Sequence, residues 1–148
     1  MSSLRPCFRG FAVALAAGAL LSGCGGGDTE SAASSAVPSD TIGVKATEMR
    51  FDLTTDRARA GKVTFNVENT GAVEHEMVVI RTTTPAGDIP EKNGERDETG
   101  AVGEIRARQL QPSASASLTR TLPAGHYALI CALPGHYEAG MYTTLTVE

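Results

Sequence analysis

In the stretch CALPGHYEAGM a thiol, an imidazole and a thioether stand five residues apart, at Cys131, His136 and Met141. Soft sulfur combined with borderline imidazole suits copper, and a trigonal His₂Cys set with a long, weak axial Met holds copper for one-electron transfer. The loop lacks one member of that set. The second histidine must come from elsewhere, and besides His136 the chain has only His75 and His126.

The elements around these residues decide between them. Side chains of a β-strand alternate between two faces. His75 is therefore in phase with Met77 and Val79, and points inward at the start of a strand. Cys131 falls in phase with Tyr127 and Leu129 at a strand's end, and Met141 with Leu145 and Val147 at the beginning of the last strand. Pro134-Gly135 reverses the chain and presents His136 beside the thiol. His126 is in phase with Ala128 and Ile130, off the Cys131 face, and follows Pro123-Ala124-Gly125, so it reads as a turn or surface histidine. Met77 sits within an apolar run and reads as core; Met49, between Glu48 and Arg50, has no partner in view. A lone histidine on an apolar face is more often structural than a ligand. The cluster of Cys131, His136 and Met141 reverses those odds for His75.

The domain carrying these residues, 41–148, reads as all-β. Val63, Phe65 and Val67 share one face of an alternating run, Met77 to Ile80 is apolar and largely β-branched, and Asn69-Thr70-Gly71, Pro85-Ala86-Gly87, Pro123-Ala124-Gly125 and Pro134-Gly135 punctuate the strands. No helical period is persuasive. Short strands between turns predict a Greek-key β-sandwich. A domain of roughly 110 residues buries about two-thirds of its unfolded surface, enough to fold without disulfides. The polar, breaker-rich run Thr82 to Ala101 reads as a long surface excursion, a mobile solvated insertion with at most a short helical turn.

The N-terminus has another purpose. Arg5 and Arg9 precede the apolar stretch Phe11 to Leu21, which is too short to span a bilayer and reads as the hydrophobic region of a signal peptide, residues 1–23. Leu21-Ser22-Gly23-Cys24 resembles the lipobox of bacterial lipoproteins, which implies a lipid on Cys24. The small, polar run from Gly25 to Asp40 would be a flexible tether, so that 24–40 links lipid to domain. The expected location is extracytoplasmic, in the periplasm or at the cell surface, held to a bacterial membrane by the N-terminal lipid. Cys7 leaves with the leader and Cys24 is blocked, so Cys131 is the single free thiol of the mature domain. In an oxidising compartment an unpaired thiol is either buried and inert or employed in chemistry.

Charge narrows the partners. Of 13 Lys and Arg, Arg5 and Arg9 leave with the leader, so 11 basic residues face 17 acidic ones and the mature chain carries −6. No basic patch invites nucleic acid. An acidic surface suits a partner presenting positive charge.

Tyr127 to Val147, YALICALPGHYEAGMYTTLTV, together with Asn69-Thr70-Gly71 leading to His75, resembles the type 1 copper motif of the cupredoxins. The C-x4-H-x4-M spacing is closer to auracyanin and rusticyanin than to plastocyanin. The resemblance implies a Greek-key sandwich, one copper (Cu⁺/Cu²⁺) per chain, His75, Cys131 and His136 as equatorial ligands, Met141 axial, and single-electron transport between redox partner proteins by a monomer that is not an enzyme. Glu76 departs from the pattern, since plastocyanin and azurin have an asparagine after this histidine.

Other functions fare less well. A multicopper oxidase or nitrite reductase needs more histidines than the one spare, and a binuclear oxidase-type centre needs two cysteines. A nucleophile-base pair of Cys131 and His136 would leave Met141 unexplained. Copper delivery in metal homeostasis is the main alternative, because the same ligands would serve it.

Overall fold

The computed structural model describes residues 39–148. The leader, Cys24 and nearly all of the tether lie outside the described residues, and the first described strand begins at Ser39. The strands are β1 (Ser39–Thr47), β2 (Arg50–Leu53), β3 (Arg57–Ala58), β4 (Gly61–Asn69), β5 (Met77–Arg81), β6 (Glu91–Lys92), β7 (Glu95–Arg96), β8 (Ala101–Ile105), β9 (Ser115–Leu122), β10 (Gly125–Ile130) and β11 (Tyr142–Val147). Only two short 3₁₀ turns, Ala86–Asp88 and Ala107–Gln109, interrupt them among the described residues.

Two sheets form the sandwich, one in the order β2-β1-β4-β9 and the other β3-β11-β10-β5-β8. β1 runs parallel to β4, and β3 parallel to β11; the other pairs are antiparallel. The Greek-key β-sandwich expected from the turn spacing is the fold observed.

Alternation explains the core. Ile42, Val44 and Ala46 of β1 and Val63, Phe65 and Val67 of β4 meet Met77, Val79, Tyr127, Leu129, Leu145 and Val147 of the facing sheet in one buried cluster. β4 is the clearest case, because its inward residues are buried and Lys62, Asn66 and Glu68 are not. Truncating fully buried Phe65 to Ala would cost about 3–5 kcal/mol. Tyr127 inserts its ring in this core, and its hydroxyl donates to the Pro123 carbonyl at 2.7 Å, which fixes the corner into β10.

β5 does not alternate. Met77, Val78, Val79 and Ile80 are all buried, which requires apolar cover on both faces of the strand. The outer cover comes from the 82–101 segment. Its Ala86 and Ile89 pack with Val78, Ile80, Ala128, Ile130 and Tyr137 in a second, smaller core. The expectation of a mobile solvated insertion is thus corrected. The segment lies at the surface, but two apolar residues anchor it, and a β6–β7 hairpin organises its middle. Asn93 and Gly94 turn that hairpin at φ of 57° and 86°, the positive values that an Asn-Gly turn supplies.

Candidate metal centre

Three donors from two distant segments converge at one end of the sandwich. His75 lies on the β4–β5 connection, two residues before β5; Cys131 directly follows β10; His136 stands on the loop joining β10 to β11. His75 Nδ1 is 3.4 Å from His136 Nδ1, and Cys131 Sγ is 3.4 Å from the same His136 atom. One ligand atom from each of the three residues lies within 4.8 Å of the others. Donors held about 2.0–2.3 Å from a metal at trigonal angles are separated by roughly 3.5–3.7 Å. The observed spacing fits a single ion.

Burial grades the site. His75, Cys131 and Met141 are fully buried, and His136 is half-buried at the outer edge. Buried polar groups are normally hydrogen-bonded. Among the described residues His75 Nε2 has no such partner, and Nδ1 meets His136 Nδ1 at 3.4 Å. Burial pushes the His75 pKa down, with the neighbouring His136 acting the same way and Glu48 opposing. The ring is therefore held neutral, the form that ligates metal. Burial pushes the Cys131 thiol up, while the backbone N–H groups of Glu76 and Leu133 offset part of the rise.

The loop from Cys131 to Met141 is tied by its own backbone. Leu133 O accepts from His136 N at 3.1 Å, with Pro134 and Gly135 between them; Gly135 has φ of 81°, the value the third residue of a type II turn requires. Met141 N donates to His136 O at 3.0 Å, and Cys131 N to Met141 O at 3.0 Å, which closes the loop. Met141 joins the same core cluster as Cys131 and Leu145, as its strand phase predicted.

Asn69 holds the opposite side. This fully buried residue at the end of β4 donates through Nδ2 to Val73 O at 2.7 Å and Leu110 O at 2.8 Å, and accepts at Oδ1 from Gly71 N at 2.9 Å. His75 N donates to the same Leu110 carbonyl at 3.2 Å. The Glu48 carboxylate adds a bond from Ala72 N and ties this connection to the β1–β2 turn. Sequence reasoning took Asn69 only as part of a turn. The available signal was an amide closing an alternating run, in phase with Val63, Phe65 and Val67 and so facing the core.

Glu76 contributes through its backbone, not its side chain. Its N–H donates to Cys131 Sγ at 3.4 Å and so braces the thiol from the His75 side. The other sulfur and imidazole candidates stay apart from the site. Met77 is core, Met49 packs half-buried against the core at φ of 59°, and His126 is exposed at the far end of β10 from Cys131.

Known proteins are similar to this chain in sequence and in architecture. Residues 55–148 match the sulfocyanin (SoxE) domain family. Over 107 residues the chain is 32% identical to the copper-resistant cuproprotein CopI of Rubrivivax gelatinosus, a match covering 71% of this chain and 64% of that protein, so it spans a little under two-thirds of that relative. Auracyanin B superposes with a TM-score of 0.57 at 26% identity, over 75% of this chain and 90% of that one. The dithionite-reduced auracyanin of the photosynthetic bacterium Roseiflexus castenholzii gives 0.54 at 22% identity, over 74% and 96%, a likeness of fold. With the family match running from residue 55 to the last residue and the sandwich shared with auracyanins, the chain belongs to the sulfocyanin family of cupredoxins, and its cofactor is a single copper ion.

Proposed function

We propose that this protein carries single electrons between extracytoplasmic redox partners on a copper ion that His75, Cys131, His136 and Met141 would hold. The observation that carries the reading is the convergence of one thiol and two imidazoles, with Nδ1 to Nδ1 and Sγ to Nδ1 distances of 3.4 Å, at the buried end of a sandwich. Copper bound there supplies the one-electron couple. The chain's own residues keep water away and hold the ligands still. Cys131, His75 and Met141 are sealed in the core, and the hydrogen-bonded loop resists the movement that a change of copper charge would favour.

Electrons would pass through His136, the half-buried ligand, with half-buried Leu133 and exposed Pro134 beside it as a contact surface. A groove of about 310 Å³ adjoins that surface, lined by Glu76, Glu91, Glu95, Glu98 and Glu138 against one base, Arg96. A partner presenting positive charge fits it. The signal peptide, the lipid on Cys24 and a monomeric state complete the proposal, as a carrier tethered outside the cytoplasm.

The name of one relative favours a second reading. CopI is a copper-resistant cuproprotein, which suits copper binding or delivery by the same ligands. One measurement tests the copper site itself, and two more separate the readings. Cu(II) added to the soluble domain should give an intense thiolate-to-copper band that is lost in Cys131→Ser; weak absorption alone would end the proposal. Repeated chemical reduction and reoxidation without metal loss supports the carrier. Ready transfer of Cu(I) to a competing chelator supports delivery.

A further inference from the structure

The ligand most open to solvent, His136, stands on a loop built from turns, yet its neighbour Tyr137 is only 5% exposed. The Tyr137 hydroxyl is fully employed. It accepts from Ile89 N at 2.9 Å and donates to Ala86 O at 2.7 Å, so both bonds reach the 3₁₀ turn Ala86–Asp88 and the residue after it. The Arg96 guanidinium lies 4.3 Å from the Tyr137 ring centroid, donates to Ile89 O at 3.0 Å and pairs with Glu138. The Tyr142 ring stands 5.1 Å from the Tyr137 ring, and Gly87 packs so close to Tyr142 that a Cβ there would come within 2.9 Å of it.

These contacts join two segments that the sandwich by itself leaves separate. The 82–101 excursion forms no ladder with either main sheet between Thr82 and Gly100, and the ligand loop forms none between Cys131 and Met141. Tyr137, Arg96 and Glu138 bolt one to the other on both sides of the Tyr137 backbone. Because His136 and Tyr137 share a peptide plane, their Cα atoms stay about 3.8 Å apart, and fixing one backbone restricts the other.

We infer that Tyr137 is a positioning residue for His136, and that the segment from Ala86 to Arg96 is the buttress that holds it. The inference rests on the proposed ligand role of His136 for what is positioned, but the buttress is testable without copper. A side chain that merely covers the outer face of β5 and β10 would stabilise the whole domain. A positioning residue governs the ligand loop selectively.

Tyr137→Phe keeps the ring and removes both hydroxyl bonds; Arg96→Gln removes the cation over the ring and the Glu138 pair. Amide hydrogen exchange of the copper-free full domain reads the clamp directly. Two lost bonds of ordinary strength predict that exchange of amides 135–141 in Tyr137→Phe rises roughly tenfold or more, while those of β10 and β11 hold. The copper-loaded variants should show an altered electron spin resonance hyperfine splitting and a several-fold faster loss of Cu(I) to a chelator, and Arg96→Lys should restore part of what Arg96→Gln loses. Unchanged exchange at 135–141, or a uniform rise that includes β10 and β11, would overturn the inference. If the wild type fails to form the thiolate-copper band, the copper reading falls by itself, and the exchange result still decides whether the buttress exists.

Discussion

His75 Nδ1 and His136 Nδ1 stand 3.4 Å apart although 61 residues separate them in the chain. Bringing two imidazole rings this close takes both from part of their water. The fold holds them there by devices outside both rings: the Asn69–Leu110 bond behind His75 and the turn at Pro134-Gly135 before His136.

Asn69→Ala tests the first device. The substitution strands the buried Leu110 carbonyl of one donor, and takes partners from Val73 O and Gly71 N. We expect a loss of about 2–4 kcal/mol in urea unfolding of the copper-free protein. The visible band of the copper form should shift as well, because His75 shares the Leu110 carbonyl. A variant as stable as wild type, with an unaltered spectrum, would refute the bracing role.

Met141→Leu separates packing from ligation. Met141 is fully buried, and a Leu of similar volume should cost less than about 1.5 kcal/mol. Removing a weak thioether donor takes electron density from the more highly charged Cu(II), so the reduction potential should rise, as voltammetry would record. A potential equal to wild type would mean that Met141 serves only as core.

Copper uptake should release protons. Burial pushes the Cys131 thiol up, so at neutral pH the copper-free protein holds that proton, and the metal must displace it. Titration of weakly buffered protein at pH 7 with Cu(II) should release about one proton per copper, and Cys131→Ser should release far less. Equal release from both proteins would place the displaced proton elsewhere.

Glu98, on the wall of the acidic groove, sets a pH dependence of its own. Desolvation, then the charges of Glu104 and Glu95, raise its folded pKa, with Arg106 opposing. The folded state therefore keeps a proton that the unfolded chain has already lost, and stability falls as pH rises from the ordinary carboxylate range through the raised value. Glu98→Gln should flatten that fall and raise the melting temperature of the copper-free protein at pH 7. Because the side chain is exposed, the gain should be small and should shrink in high salt. A variant that melts lower than wild type at pH 7 would contradict this sign.

His126→Ala is the matching control. The residue is exposed in β10, at the far end from Cys131, so copper stoichiometry and spectrum should be unchanged. Loss of the thiolate band in this variant would overturn the assignment of the second histidine to His75.

Sequence by itself determined the chemistry and the faces. The types and spacing of Cys131, His136 and Met141 named the metal, and period-two alternation placed His75, Cys131 and Met141 inward, because side-chain direction in a strand depends only on parity along the chain. Periodicity carries no information about which strand neighbours which. Only the tertiary structure brought the β4–β5 connection against the β10–β11 loop, set Asn69 and Glu76 N–H behind the candidate donors, and laid the 82–101 segment on β5. The clues to that last contact were legible in retrospect: four consecutive apolar residues in Met77 to Ile80, which no half-exposed strand would carry, and an Asn93-Gly94 turn. What covered the second face of β5 was settled by long-range packing, where Ala86, Ile89 and Tyr137 meet from segments that only the folded chain makes adjacent.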